Sequence, residues 1–406
     1  METKRKFLFL LSILIILLAF PFCKSTSPAV SSLTGEETTV PDEAIFQSVL
    51  QKRLEEAERP APKANNPSSG FAMGETGQGQ SKFSEVPVYY ATDREPTGNN
   101  GPYGFYGGKR SSTGLRFGRC MVTIPKIHEI GEIERPSWWS LEFAEDPGEH
   151  IILKEISPLQ ENDFFSELNL KARLADKQEA LVFIHGYNTS FDEAALRAAQ
   201  VAYDVSFAGV PILYSWPSQG TLIGYWEDGE NNAWSVPHLE YFLEELAKQN
   251  CWEKIHIIAH SMGNRTLTKS LIALARKNPQ KPLFGQVILA APDVNAREFV
   301  QEIAPMIRQT ASNVTLYASS KDKALALSKQ FNHVPRAGEA GENLVVVETI
   351  ETVDASSIDT DFLGHTYFAN TWLLIQDLYE VINKGWNAEK RALKDRKKGN
   401  RRYWAF

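Results

Sequence analysis

A doubly wound α/β sheet, mostly parallel with an antiparallel N-terminal edge, is the fold this sequence predicts. Three observations predict it. From Lys177 onward, short apolar runs alternate strictly with helical stretches, as crossover helices between parallel strands require. Successive runs begin about 30–45 residues apart, enough for right-handed crossovers. One run, Ile255–Ala259, leads through a tight turn, His260-Ser261-Met262-Gly263, straight into a helical pattern carrying Leu267, Leu271 and Leu274.

Taken in order, Pro87–Arg94 reads as a strand ending in a polar turn, with Asp93 and Arg94 as turn residues or a structural ion pair. A Gly/Tyr-rich loop covers Asn99–Gly108. Leu115–Pro125 and His150–Pro158 are further strands of the antiparallel edge. The parallel part is expected to run through strands Ala180–His185, Val210–Trp216, Ile255–Ala259, Gly285–Ala291, Val314–Ala318 and Asn343–Thr349. Helices are expected at Phe191–Phe207, Ala233–Gln249, from the 263 turn to about Lys277, and at His365–Ile382. Pro217–Asn232 reads as a loop rich in Gly, Trp and Tyr.

Outside this domain, residues 83–385, the chain changes character. Residues 1–23 place Lys4-Arg5-Lys6 before an apolar stretch, Phe7–Phe20, too short to span comfortably, so a signal peptide or a membrane anchor is expected. Export to the cell envelope follows, periplasmic or membrane-anchored. Cys23 leaves a lipidated N-terminus open, although Phe20 and Phe22 are bulky for such a cleavage site. Residues 24–82 form a low-complexity tether with a short amphipathic helix at Pro41–Glu58. Residues 386–406 carry eight Lys/Arg against two acids and read as a basic, solvated tail, or as a contact for anionic lipid or polymer. The 406 residues are 43% hydrophobic, ample for a large core, and the net charge of −7 gives no reason to expect nucleic acid. Cys23, Cys120 and Cys251 fit neither a disulfide framework nor a zinc cluster, and packed thiols are expected for the last two.

The chemistry centres on Ser261. A serine between strand, tight turn and helix has its hydroxyl lifted clear of the backbone, while the helix N-terminus aims N–H groups where an oxyanion would form. An activated serine also needs a base and an orienting acid. In doubly wound serine hydrolases these follow in the order Ser, acid, His, each after a strand. Of the two later histidines, His365 follows the last strand, whereas His333 sits at a helix end expected at the opposite edge. Asp322 follows Val314–Ala318 and is the expected acid; Asp293, after Gly285–Ala291, is the alternative. The oxyanion donors are expected to be the N–H groups of Met262 and of Tyr187, in the turn His185-Gly186-Tyr187-Asn188. His185 and His260 read as structural polar residues, and His128 and His150 as surface or satisfied histidines. His256 with His260 lacks a third ligand for zinc.

The segments HGYN, YSWPSQG, AHSMGNR, AAPDV and SSKDKAL, with YATDR and FGRCMVTIP upstream, resemble a family of bacterial α/β-hydrolases of unknown function. The resemblance spans about residues 84–385 and implies an α/β-hydrolase fold similar to lipases and esterases. It implies Ser261 as nucleophile and no metal or organic cofactor. Ala259 stands where the serine motif usually has glycine, a small-for-small exchange. The expected reaction is ester hydrolysis of a small-molecule or lipid ester. The same triad would serve a thioesterase, peptidase, amidase or acyltransferase. A tethered scaffold with an inactive hydrolase fold is the reading from another class.

Overall fold

The computed structural model describes residues 81–136, 144–221, 224–279, 282–321, 325, 334–358 and 371–406. The expected signal segment, almost the whole tether, Asp322, His333 and His365 lie outside the described residues.

Eleven strands form one sheet and two form a small hairpin, β2 (Arg94–Pro96) with β3 (Tyr106–Arg110). Strands β1 (Phe83–Thr92), β4 (Arg116–Pro125) and β5 (Ile152–Leu159) make the antiparallel edge. The parallel strands are β6 (Glu179–Ile184), β7 (Val210–Ser215), β8 (Lys254–His260), β9 (Phe284–Ala290), β10 (Ala311–Ala318) and β11 (Glu351–Asp354). A terminal hairpin, β12 (Lys394–Lys398) and β13 (Arg401–Ala405), completes the order β12-β13-β11-β10-β9-β8-β6-β7-β1-β4-β5. From β6 the chain steps to β7 on one side, then returns to place β8 on the other. The strand order therefore reverses at β6, with the carboxyl ends of β6, β7 and β8 side by side. That is where open α/β sheets gather their chemistry.

Both faces of the sheet are covered, so its central strands read as unbroken apolar runs. All six residues of β6 are buried. Ala180, Val182 and Ile184 face one core with α1 (Glu161–Leu174), α4 (Val236–Lys248) and α5 (Gly263–Lys277). Leu181 and Phe183 face the other, with α2 (Phe191–Asp204) and α6 (Thr371–Asn383). Helix α2 starts in a capping box: Ser190 Oγ accepts from the Glu193 N–H and Glu193 returns a bond to the Ser190 N–H. Its buried alanines 194, 195, 198, 199 and 202 let it lie close on the strands.

Four expectations change. The stretch 217–232 is not all loop, because α3 (Tyr225–Trp234) begins inside it. Gly229 and two asparagines mask that helix; tertiary bonds from its buried Asp228 and Asn231 outweigh their poor propensity. The last parallel strand is β11, not Asn343–Thr349. Leu344, Val345 and Val346 are buried, but their carbonyls accept from Lys398, Thr352 and Arg401 side chains rather than from a strand. Helix α1 was not anticipated; Phe164, Leu168 and Ala172, four apart, bury its one apolar stripe. The tail is largely exposed, as expected of a solvated end, but it is ordered. It forms the β12–β13 hairpin, and β13 pairs with β11 in parallel. Cys120 and Cys251 are free and buried, as expected.

Candidate active site

Ser261 lies between the end of β8 and the start of α5, with φ at +48°. A left-handed residue with a Cβ costs roughly 1–2 kcal/mol, so its surroundings must impose it. They do so through the backbone. The Ser261 N–H donates to Ala290 O at 2.9 Å, and Ser261 O accepts from the Asp293 N–H at 3.2 Å. The Asn264 amide nitrogen reaches Ala259 O, Ser261 O and Ala290 O at 3.1, 3.1 and 3.2 Å. The neighbours must be small. A Cβ on Gly263 would sit 2.4 Å from His185 O, and one on Gly186 would sit 2.7 Å from His260 Nδ1 and 3.2 Å from Ser261 Cβ.

The turn after β6 stands beside this junction. His185 is buried and stacks on Trp216 at 5.0 Å, and the Trp216 indole N–H donates to His185 O at 2.9 Å. Burial, and then the Arg94 charge, hold the imidazole well below the ordinary histidine range, so it is neutral. Its Nδ1 lies 2.8 Å from Gly186 O, and its Nε2 lies 3.1 Å from both the Ser215 hydroxyl and Trp216 O. Arg94, 1% exposed, fastens the turn from below. It donates to Ser215 Oγ (2.8 Å), Ser218 O (2.8 Å), Gly107 O (3.1 Å) and Thr189 O (2.7 Å). Burial pulls its pKa down to about 10, which leaves it charged. Asp93 and Arg94 are thus structural, with separate partners. Asp93 accepts from the Tyr214 hydroxyl at 2.6 Å and lies 3.0 Å from His238 Nδ1. Tyr187 and Asn188, the latter with φ +54°, complete the turn, and Met262 caps α5. The two expected oxyanion residues therefore occupy the carboxyl ends of adjacent strands.

Asp293 is buried among cations. Arg265 Nη2 is 2.7 Å from its Oδ2, Arg336 Nε is 3.1 Å from its Oδ1, and the Tyr225 hydroxyl donates to Oδ2 at 3.1 Å. Arg265 also binds the Tyr225 hydroxyl, and the Tyr225 ring stands edge-on to Tyr187 at 5.4 Å. Asp293, whose N–H binds Ser261 O, thus links the serine turn to Arg265, Tyr225 and Tyr187. Sequence reading did not single out Arg265 or Arg336. Arg265 stood four residues beyond the serine, one helical turn away, where it could have been noticed; nothing marked Arg336. Where Asp322 and His365 belong, only the flanks are described. β10 ends at Ala318 and β11 at Asp354, paired residues at the same edge of the sheet as Ser261. The Ser319 N–H there donates to Gly338 O, and Lys321 N–H to Ser319 Oγ.

Elsewhere His128 and His150 are satisfied, His128 between Glu134 and Asp204 and His150 by the Asp146 N–H. His256 accepts from the Gln286 N–H. Among the described residues no three His, Cys, Asp or Glu side chains group to hold a metal.

The model of the family described as alpha/beta hydrolase of unknown function (DUF900) matches residues 161–382, more than half of the chain and strands β6 to β11. The chain belongs to this hydrolase family. The search of curated proteins found no match. Among solved structures, the hydrolase is similar to a candidate cell surface hydrolase from Lactobacillus plantarum: 10% identity, 52% of this chain, 94% of that one, TM-score 0.33. It is also similar to the acylaminoacyl peptidase of Pyrococcus horikoshii: 13% identity, 76% of this chain, 44% of that one, TM-score 0.34. Likenesses this distant carry no argument about chemistry.

Proposed function

We propose that this α/β-hydrolase is a serine esterase, and that Ser261 attacks the acyl carbon of a small-molecule or lipid ester. The observation that carries the reading is the left-handed Ser261, held between strand and helix by the Ala290 carbonyl, the Asp293 N–H and the Asn264 side chain. Strain kept at one residue by so many contacts suits a nucleophile that must stand clear of its own backbone. His365 takes the hydroxyl proton as the serine attacks, and later returns one to the leaving alcohol. Asp322 orients the imidazole and stabilises its cation. The N–H groups of Tyr187 and Met262 bind the oxyanion, and water then releases the acyl group. Tyr187 and Tyr225 wall the acyl side. The basic start and apolar stretch of residues 4–20 support export to the cell envelope, tethered there or released.

Hydrolysis of nitrophenyl esters of increasing chain length tests the reading. Turnover should disappear in His365→Ala and fall steeply in Asp322→Asn, with the fold intact by circular dichroism. Asp293→Asn should chiefly lower stability, because it loosens Arg265 and Arg336. If Asp293→Asn alone stops turnover in a folded protein, the acid is Asp293. If no ester is hydrolysed and His365→Ala changes nothing, the esterase reading fails.

A further inference from the structure

A concave surface lies on residues that take no part in the chemistry above. It is a groove of about 800 Å³ between the start of the 296–307 helical segment, the 343–346 stretch and the β12–β13 hairpin. That is within the roughly 300–1,000 Å³ of small-ligand sites. Three cations line it: Arg297, Lys398 and Arg401. Lys398 Nζ donates to the carbonyls of Glu342 and Leu344 at 2.7 and 2.9 Å, and Arg401 Nη1 to Val346 O at 2.9 Å. These bonds hold both side chains on the rim, yet among the described residues none of the three cations meets a carboxylate. Glu298 and Glu342 adjoin the groove in sequence but do not line it. Arg402, one residue beyond Arg401, is neutralised by Asp395 and Glu389. Arg297, Lys398 and Arg401 thus bring three positive charges to one concavity.

We propose that this groove binds a phosphate monoester. Three uncompensated cations exceed what one carboxylate would balance, and a monoester offers about two charges and three acceptor oxygens. Guanidinium forks suit such a group, with lysine as a point charge beside them. The amides of Asn295 and Asn400 stand on the same rim, while Val300, Val334 and Val345 give the ester's organic part an apolar wall. The headgroup of a lipid and a soluble phosphorylated compound present the same chemistry. The inference stands apart from the esterase reading, because Ser261 does not line the groove.

Calorimetric titration of the full chain with octyl phosphate and with glycerol phosphate tests it, in the wild type and in Ser261→Ala. Saturable binding is expected in both proteins. It should be roughly tenfold weaker in Arg297→Gln and in Lys398→Gln, the loss typical of a charged hydrogen bond. Arg297 is exposed, so its variant keeps the test valid if Lys398→Gln misfolds. Tighter binding of octyl phosphate would point to a lipid source, and equal binding to a soluble one; either supports the site. No saturable binding of either compound overturns the proposal. So does binding that Arg297→Gln leaves unchanged, or binding that Ser261→Ala abolishes.

Discussion

Gly263 and Ser261 show how little room the junction leaves. Gly263→Ala would drive a methyl against the carbonyl of His185, backbone against backbone. About 1–3 kcal/mol of stability should be lost, read from the urea midpoint. Gly186→Ala presses on His260 and Ser261 instead, so besides some loss of stability it should lower ester turnover about tenfold or more. Arg94 has the opposite character, a charge buried because four loop and strand oxygens need it. Arg94→Met should cost on the order of 3 kcal/mol, since the carbonyls of Gly107, Thr189 and Ser218 lose a charged donor. At this scale the serine was readable from five residues. Arg94 was legible only as a turn residue, because its partners lie up to 124 positions away.

Elements meet through paired charges as well as apolar faces. His128, in the loop after β4, sits between Glu134 and Asp204, the last residue of α2. Burial works against its charge, but the hydrogen bonds it donates to Asp204 and Glu134 raise its pKa to about 9, from an ordinary 6.5. A raised folded pKa means that the protonated form stabilises the fold. The contribution is complete below about pH 6.5 and is lost as pH climbs through 9. Melting temperatures of the wild type and His128→Gln should therefore differ at pH 6–7, by an amount reflecting on the order of 2 kcal/mol, and converge near pH 10. A gap that stays constant to pH 10 would contradict this. Elements were legible in proportion to how far they relied on apolar pattern. β6, β8 and β9, sealed on both faces, stood out as continuous runs. Helix α3 did not, since polar side chains hold it. The run at 344–346 announced burial, and burial under a hairpin resembles burial in a strand.

Across the whole molecule, the C-terminal segment belongs to the fold. Arg391 carries it into the core. Nη1 is 2.9 Å from Asp377 on α6 and Nη2 is 3.0 Å from Glu351 on β11, with the Tyr317 hydroxyl of β10 at 3.1 Å. Arg391→Met should cost about 3–5 kcal/mol by leaving two carboxylates without their counter-charge, visible as a lower denaturant midpoint. A neutral effect would mean the hairpin is merely appended. The same sheet whose far edge this hairpin closes brings the carboxyl ends of β6, β8, β9, β10 and β11 to one side, and the account rests on what that side does. Mass spectrometry of the intact protein after treatment with a fluorophosphonate tests this most directly. The account predicts one phosphonyl adduct, mapped by peptide sequencing to Ser261 and absent from a folded Ser261→Ala protein. A folded wild type that stays unmodified, or an adduct that persists in Ser261→Ala, would contradict it.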